Sequence, residues 1–156
     1  MNTAEKKKAR MFLDIDGVLN VPRWGGNQVK SIPLPFFPTD ATKEFMHWAW
    51  ESFDVIWCTC WFDHANLIAK WADLPPRPVL HDRVRGKENE DWKVREIKKV
   101  VGKDPAHFLF VEDQPSREAK LWFVKDVRLW LLDVDPTIGI NSEVLARMKT
   151  IFRDFP

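Results

Sequence analysis

The stretch Phe12-Leu13-Asp14-Ile15-Asp16-Gly17-Val18-Leu19-Asn20 decides how this chain is read. Met11 to Leu13 is apolar and reads as the end of a buried strand. Asp14 and Asp16 follow two residues apart, so extended geometry sends both side chains to one side. Gly17 comes next, where the chain can leave the strand by a sharp turn because glycine tolerates positive φ. Two carboxylates held together at a strand end need neutralising. A divalent cation is the natural candidate, because hard cations take oxygen ligands.

Downstream, apolar strand-like runs keep ending in polar residues. Phe53 to Cys58 is β-branched and aromatic and ends in Thr59-Cys60-Trp61. Val79-Leu80 reads as a short third strand, followed by the charged loop His81 to Lys87. His107 to Val111 ends in Glu112-Asp113-Gln114-Pro115, and Val127 to Leu132 ends in Asp133-Val134-Asp135. Helical periodicity fills the gaps. One helix covers 41–52 with Thr39 or Asp40 as cap, and another covers 63–72. A third is capped by Asn89, with Glu90 and Asp91 in its first turn, and closes at Gly102. The fourth spans 116–124, and the last follows Asn141 or Ser142. Strands alternating with helices about five times imply a parallel sheet with helices on both faces. Ligands of such sheets sit beyond the carboxyl ends of the strands.

Four of these pieces resemble, in order, the motifs of the haloacid dehalogenase (HAD) superfamily of phosphohydrolases. The resemblance covers nearly the whole chain after its first residues. It implies an α/β fold, a three-layer Rossmann-like parallel sheet of about five strands, HAD-like and without a full cap domain. It also implies magnesium-dependent phosphomonoester hydrolysis. Asp14 would be the nucleophile that forms an aspartyl-phosphate, and Asp16 the general acid/base. Thr59 would bind the transferring phosphoryl group, with Cys60 standing where many relatives carry a smaller residue. Lys93 would pair with the nucleophile and the phosphate charge. Lys87, in the preceding loop, competes for that role, and Lys93 is preferred on its position. Mg2+ would be held by Asp14, Asp16 and Asp113, with Glu112 a direct ligand or one acting through water. Asp133 and Asp135 belong to a loop at the rim of the site, since Pro136 stands where the first motif has glycine.

The bulk properties fit a single domain. The chain has 156 residues, 45% of them hydrophobic, and a formal net charge of +1, so it is no strongly basic nucleic-acid coat. Residues 1–9 form a basic tail and 10–156 the domain. Cys58 and Cys60 are too few and too close for a structural staple or a zinc site, which points to a reducing, cytoplasmic compartment. No apolar run approaches a membrane span. A monomer or small homo-oligomer is expected. Nine tryptophans and no tyrosine make an unusual composition.

The segment 21–39, with four prolines and the pair Gly25-Gly26, reads as a flap too short to be a cap domain. The site should therefore be open to bulky phosphate esters. Arg23, Trp24 and Lys30 in the flap, and Arg83, Arg85 and Lys87 in the charged loop, are candidate substrate contacts, with ordinary solvated side chains as the alternative. Cations beside a ring suit a phosphate backbone and a base. The short capless form looks like the phosphatase domains of phage and bacterial nucleic-acid repair proteins. The expected substrate is therefore a terminal phosphate on a nucleotide or nucleic-acid end. The alternatives are a phosphatase of small sugar phosphates and a non-catalytic HAD-fold module that binds a phosphate-bearing partner.

Overall fold

In the computed structural model, residues 7–23, 26–84 and 90–155 are described. Four parallel strands form one sheet in the order β2-β1-β3-β4. They are β1 (Arg10–Leu13), β2 (Asp54–Trp57), β3 (Phe108–Glu112) and β4 (Leu129–Asp133). Five α-helices accompany them: α1 (Thr42–Ser52), α2 (Ala65–Trp71), α3 (Trp92–Val101), α4 (Arg117–Lys125) and α5 (Ser142–Ile151). All five residues of β3 are buried, as a central parallel strand covered on both faces requires.

The strand side chains alternate between two apolar clusters. Met11, Leu13, Val55, Trp57, Leu109 and Val111 pack with α1, α2 and α5. Phe12, Phe108, Phe110 and Leu129 pack with α3 and α4 on the other face. The helix between β1 and β2 thus lies opposite the helix between β3 and β4. This is what right-handed crossovers demand when the chain first steps one way from β1 and later the other. The strand order therefore reverses between β1 and β3. At such a reversal the loops leaving the two strands diverge and open a crevice.

The sheet has four strands where about five were expected. Val79 makes only a single parallel bridge to Trp57. The Trp57 N–H donates to Pro78 O at 2.9 Å and the Leu80 N–H to Trp57 O at 2.8 Å. Two prolines upstream and one at 78 leave too few donors for a longer ladder. The start of α1 also differs: Ala41 occupies its cap position with no side-chain cap bond. Thr39 serves that turn from further back, its Oγ1 accepting from the Ala41 N–H at 3.2 Å. Asn89, the expected cap of α3, lies outside the described residues; the cap there is Asp91. No helix among the described residues is long and apolar enough to cross a membrane.

The described residues of the flap, 21–23 and 26–39, lie outside the helices and the sheet, as the prolines require, yet they are anchored. Ile32 and Phe36 are buried in the core. Asn20, itself buried, ties the returning leg to the first motif. Its Nδ2 donates to Pro35 O at 2.9 Å and to Asp16 Oδ1 at 2.8 Å, and its Oδ1 accepts from the Phe37 N–H at 2.7 Å. Asn20→Ala removes all three bonds and strands a partly buried N–H. It should lower stability by about 2–3 kcal/mol in chemical denaturation.

Candidate functional site

The crevice at the β1/β3 reversal is an open cleft of about 370 Å³. Asp14, Asp16, Cys60, Trp92, Lys93, Glu112 and Asp113 are among its lining residues. The chain delivers these groups from three directions. Parallel pairing of Leu13 with Val111 sets the ends of β1 and β3 side by side, so Asp14 and Glu112 leave the sheet together. Lys93 comes from the first turn of α3.

Lys93 Nζ sits 2.9 Å from Asp14 Oδ2 and 2.6 Å from Glu112 Oε2. An ammonium in the first turn of a helix opposes the helix dipole. Here the two carboxylates outweigh both that cost and burial, and hold the Lys93 pKa above its usual value. Asp91 fixes the turn that carries Lys93. Its Oδ1 accepts from the Lys93 and Val94 N–H groups at 2.9 and 3.3 Å. Its Oδ2 accepts from Ser116 Oγ at 2.6 Å, while Ser116 Oγ accepts from the Ala119 N–H at 3.0 Å and so caps α4. One short chain of bonds thus links the starts of both helices on this face.

Asp14 Oδ1 also accepts from the Ile15 N–H at 2.8 Å. Glu112 Oε1 accepts from the Asp113 N–H at 3.0 Å, which folds the strand end back on itself. Asp113 then lies over Gly17. A β-carbon at Gly17 would overlap the Asp113 carboxylate, and the Gly17 φ of +72° is left-handed as well. Glycine is required there on both counts.

Asp14, Glu112 and Asp113 offer three oxygen ligands within 4.8 Å of one another. Three carboxylates against one ammonium leave two excess negative charges. The acid groups register that excess. Burial pushes the Asp14 carboxyl up to about 8, with Lys93 opposing and Glu112 adding to the shift. Burial and then Glu112 push Asp113 up to about 7. For Glu112 burial acts upward too, but hydrogen bonding with Asp113 and Asp14 and the charge of Lys93 bring it down to about 2. An all-oxygen donor set with two surplus charges fits a hard divalent cation.

Asp16 is held differently. It is exposed and outside the three-acid cluster, so its expected part as a side-chain metal ligand is not what the geometry favours. Its Oδ1 accepts from Asn20 Nδ2 and its Oδ2 from Trp61 Nε1 at 3.0 Å. Thr59 is buried and does not line the cleft; its Oγ1 accepts from the Trp61 N–H at 3.2 Å. Cys60 is the residue of that turn that lines it, and burial pushes its thiol pKa up, which keeps the inert thiol form.

The expected substrate contacts scatter. Trp24, Arg85 and Lys87 lie outside the described residues. Arg23 is exposed, reaching Ile138 O at 3.4 Å, and Arg83 and Lys30 are exposed and off the cleft lining. Arg95 holds Asp82 at 2.6 Å and Glu90 at 3.2 Å. Asp133 and Asp135 stay off the cleft lining. Asp135 folds its own turn, accepting from the Thr137 N–H and Oγ1 at 2.8 and 2.7 Å. Sequence reading missed Trp61, whose place on Asp16 depends on two loops meeting. It also missed Asp91 as cap, although an acid two residues before Lys93 was a usable signal.

Two measurements probe this arrangement. Asp91→Ala should cost about 1–2 kcal/mol of stability in denaturant unfolding, through loss of a cap and of the Ser116 link. The second is a thermal-shift series. Without a cation, the folded state keeps protons on Asp14 and Asp113 that an unfolded chain, with pKa near 3.8, releases. Stability should then fall as pH rises from about 4 through about 8. A divalent cation replaces those protons, so saturating Mg2+ or Mn2+ should raise Tm by roughly 5–10 °C at pH 8 and by much less at pH 5.5. Asp113→Asn should remove most of the cation-induced rise.

No family model matches the chain, and no curated protein and no solved structure is significantly similar to it.

Proposed function

We propose that this chain is a divalent-cation-dependent phosphomonoester hydrolase of HAD type, working through an aspartyl-phosphate on Asp14. The observation that carries the reading is the single ammonium of Lys93 shared between Asp14 and Glu112 at the β1/β3 crevice. A merely structural ion pair has no need of a third acid, Asp113, or of a fourth, Asp16, along the same cleft. Asp14, Asp113 and Glu112 would hold the cation, of which magnesium is the type suited to oxygen ligands. When bound, it supplies positive charge to the acids and to phosphoryl oxygens.

The residues divide the chemistry. An oxygen of Asp14 attacks phosphorus in line, and the bond from phosphorus to the ester oxygen breaks. Asp16 gives its proton to the departing alkoxide. Asp16, now a carboxylate, takes a proton from water as that water attacks the same phosphorus. The bond between phosphorus and Asp14 breaks, which releases inorganic phosphate and returns Asp14 and protonated Asp16 to the start. Lys93 keeps its charge throughout and steadies Asp14 and the equatorial oxygens. The hydrogen bonds from Asn20 and Trp61 aim Asp16 while leaving it in contact with solvent, which a group that must exchange protons needs.

Phosphate release from p-nitrophenyl phosphate with Mg2+ tests this. Asp14→Asn should abolish turnover while keeping the fold, and chelation should do the same reversibly. Lys93→Ala should lower kcat by ~10²-fold or more, as for loss of one preorganised charge partner. Wild-type turnover in a folded Asp14→Asn protein would overturn the mechanism. Failure of the native protein to release phosphate from any ester, with cation bound, would leave a phosphate-binding module instead.

A further inference from the structure

Beside the acid cluster the cleft carries a second, chemically different wall. Trp92, the first residue of α3, lines the cleft half-buried, adjacent in sequence to Lys93. Its ring is backed by Phe62, with centroids 5.7 Å apart. Phe62 is stacked on His81 at 5.6 Å and 10° between planes. His81 Nε2 is in turn held 3.2 Å from Asp63 Oδ1. Three rings from three separate segments therefore pack in a row that ends at the cleft, Phe62 parallel to His81 and tilted 42° to Trp92. Phe62 adopts a φ of +47°, a left-handed conformation that is unfavourable for a bulky side chain. Strain of that kind persists where the surroundings impose it, and it clusters at binding sites. In this conformation the Phe62 ring lies between those of His81 and Trp92.

From this we infer that Trp92, supported by Phe62 and His81, is a stacking platform for a planar base on the leaving group. The substrate class is then a nucleoside phosphate, including a phosphorylated nucleic-acid end, as opposed to a sugar phosphate. The inference rests on the hydrolase reading. It adds that, with the phosphoryl group against Asp14 and Lys93, the base lies along α3. A flat indole face accepts any base, because every base presents a π-face, and offers nothing comparable to a non-planar sugar. The near-neutral net charge of +1 agrees with recognition of one terminal nucleotide by stacking, with no long cationic track.

The test compares ligands that carry the same phosphate with and without a base: 3′-AMP and 5′-AMP against ribose 5-phosphate, with Mg2+. The native protein should show a kcat/KM for at least one AMP isomer roughly tenfold or more above that for the sugar phosphate, carried mainly by KM. Trp92→Leu should bring the ratio close to one, and Trp92→Phe should preserve most of it. Phe62→Gly relieves the left-handed φ, so the turn is kept while the supporting ring is lost. It should cut the ratio at least threefold. A ratio near one in the native protein, or an unchanged ratio in Trp92→Leu, overturns the platform and leaves the hydrolase standing. If no ester is turned over, the hydrolase reading fails by itself. Calorimetric titration of the same ligands into Asp14→Asn then decides the platform, which requires AMP to bind more tightly than ribose 5-phosphate.

Discussion

Everything at the carboxyl edge of the sheet depends on one ammonium placed between two carboxylates. Buried acids at the ends of neighbouring strands repel one another, and burial alone raises their cost steeply. Lys93 reaches Asp14 and Glu112 at 2.9 and 2.6 Å and makes that proximity tolerable. It does not make it neutral. Burial, with the Glu112 charge adding to it, still raises the pKa values of Asp14 and Asp113. The requirement runs back into the fold as well. Lys93 can bridge the strand ends only if α3 begins at one height above the sheet. The Asp91–Ser116 bond sets that height by joining the starts of α3 and α4.

The two aspartates of the opening motif end in opposite environments although they are two residues apart. Asp14 is buried, charged neighbours surround it, and its geometry is fixed by Lys93 and the Ile15 N–H. Asp16 is exposed and held by two neutral donors. Gly17 makes the separation geometrically available. Its left-handed φ turns the chain away from β1, and its missing side chain leaves room for the Asp113 carboxylate.

What sequence could tell followed the range of the interactions involved. Strand ends and helix periodicity are local, so the parallel α/β sheet and the placement of Asp14, Glu112, Asp113 and Lys93 were readable along the chain. The expected third strand is absent from the sheet because Val79-Leu80 has strand-like residues but little ladder, only the bridge of Val79 to Trp57. The cap of α3 is ambiguous in the sequence because Asn89, Glu90 and Asp91 are all polar; what distinguishes Asp91 is a tertiary bond, from Ser116 Oγ to its Oδ2. The flap looked like loose loop since prolines dominate its composition. The burial of Ile32 and Phe36 and the three bonds of Asn20 are tertiary facts with no local signal. Thr59 is a candidate phosphate ligand only through the resemblance, by following the first motif in order. Its hydroxyl faces the Trp61 N–H, an outcome decided by how that turn closes.

The tryptophan-rich, tyrosine-free composition acquires a physical account in the same terms. An indole N–H donates and cannot accept, whereas a phenol does both. Four of the indoles spend that donor on loop-closing acceptors. Trp50 reaches Pro75 O at 2.9 Å, Trp57 reaches Asn66 Oδ1 at 3.0 Å, and Trp122 reaches Asp126 Oδ2 at 3.1 Å. Trp61 reaches Asp16. Each ring packs against the core with its body while its edge pins an oxygen at the boundary. At Asp16 the donor-only character matters most. A phenol there could donate or accept, whereas an indole can only donate, which fixes Asp16 Oδ2 as the acceptor.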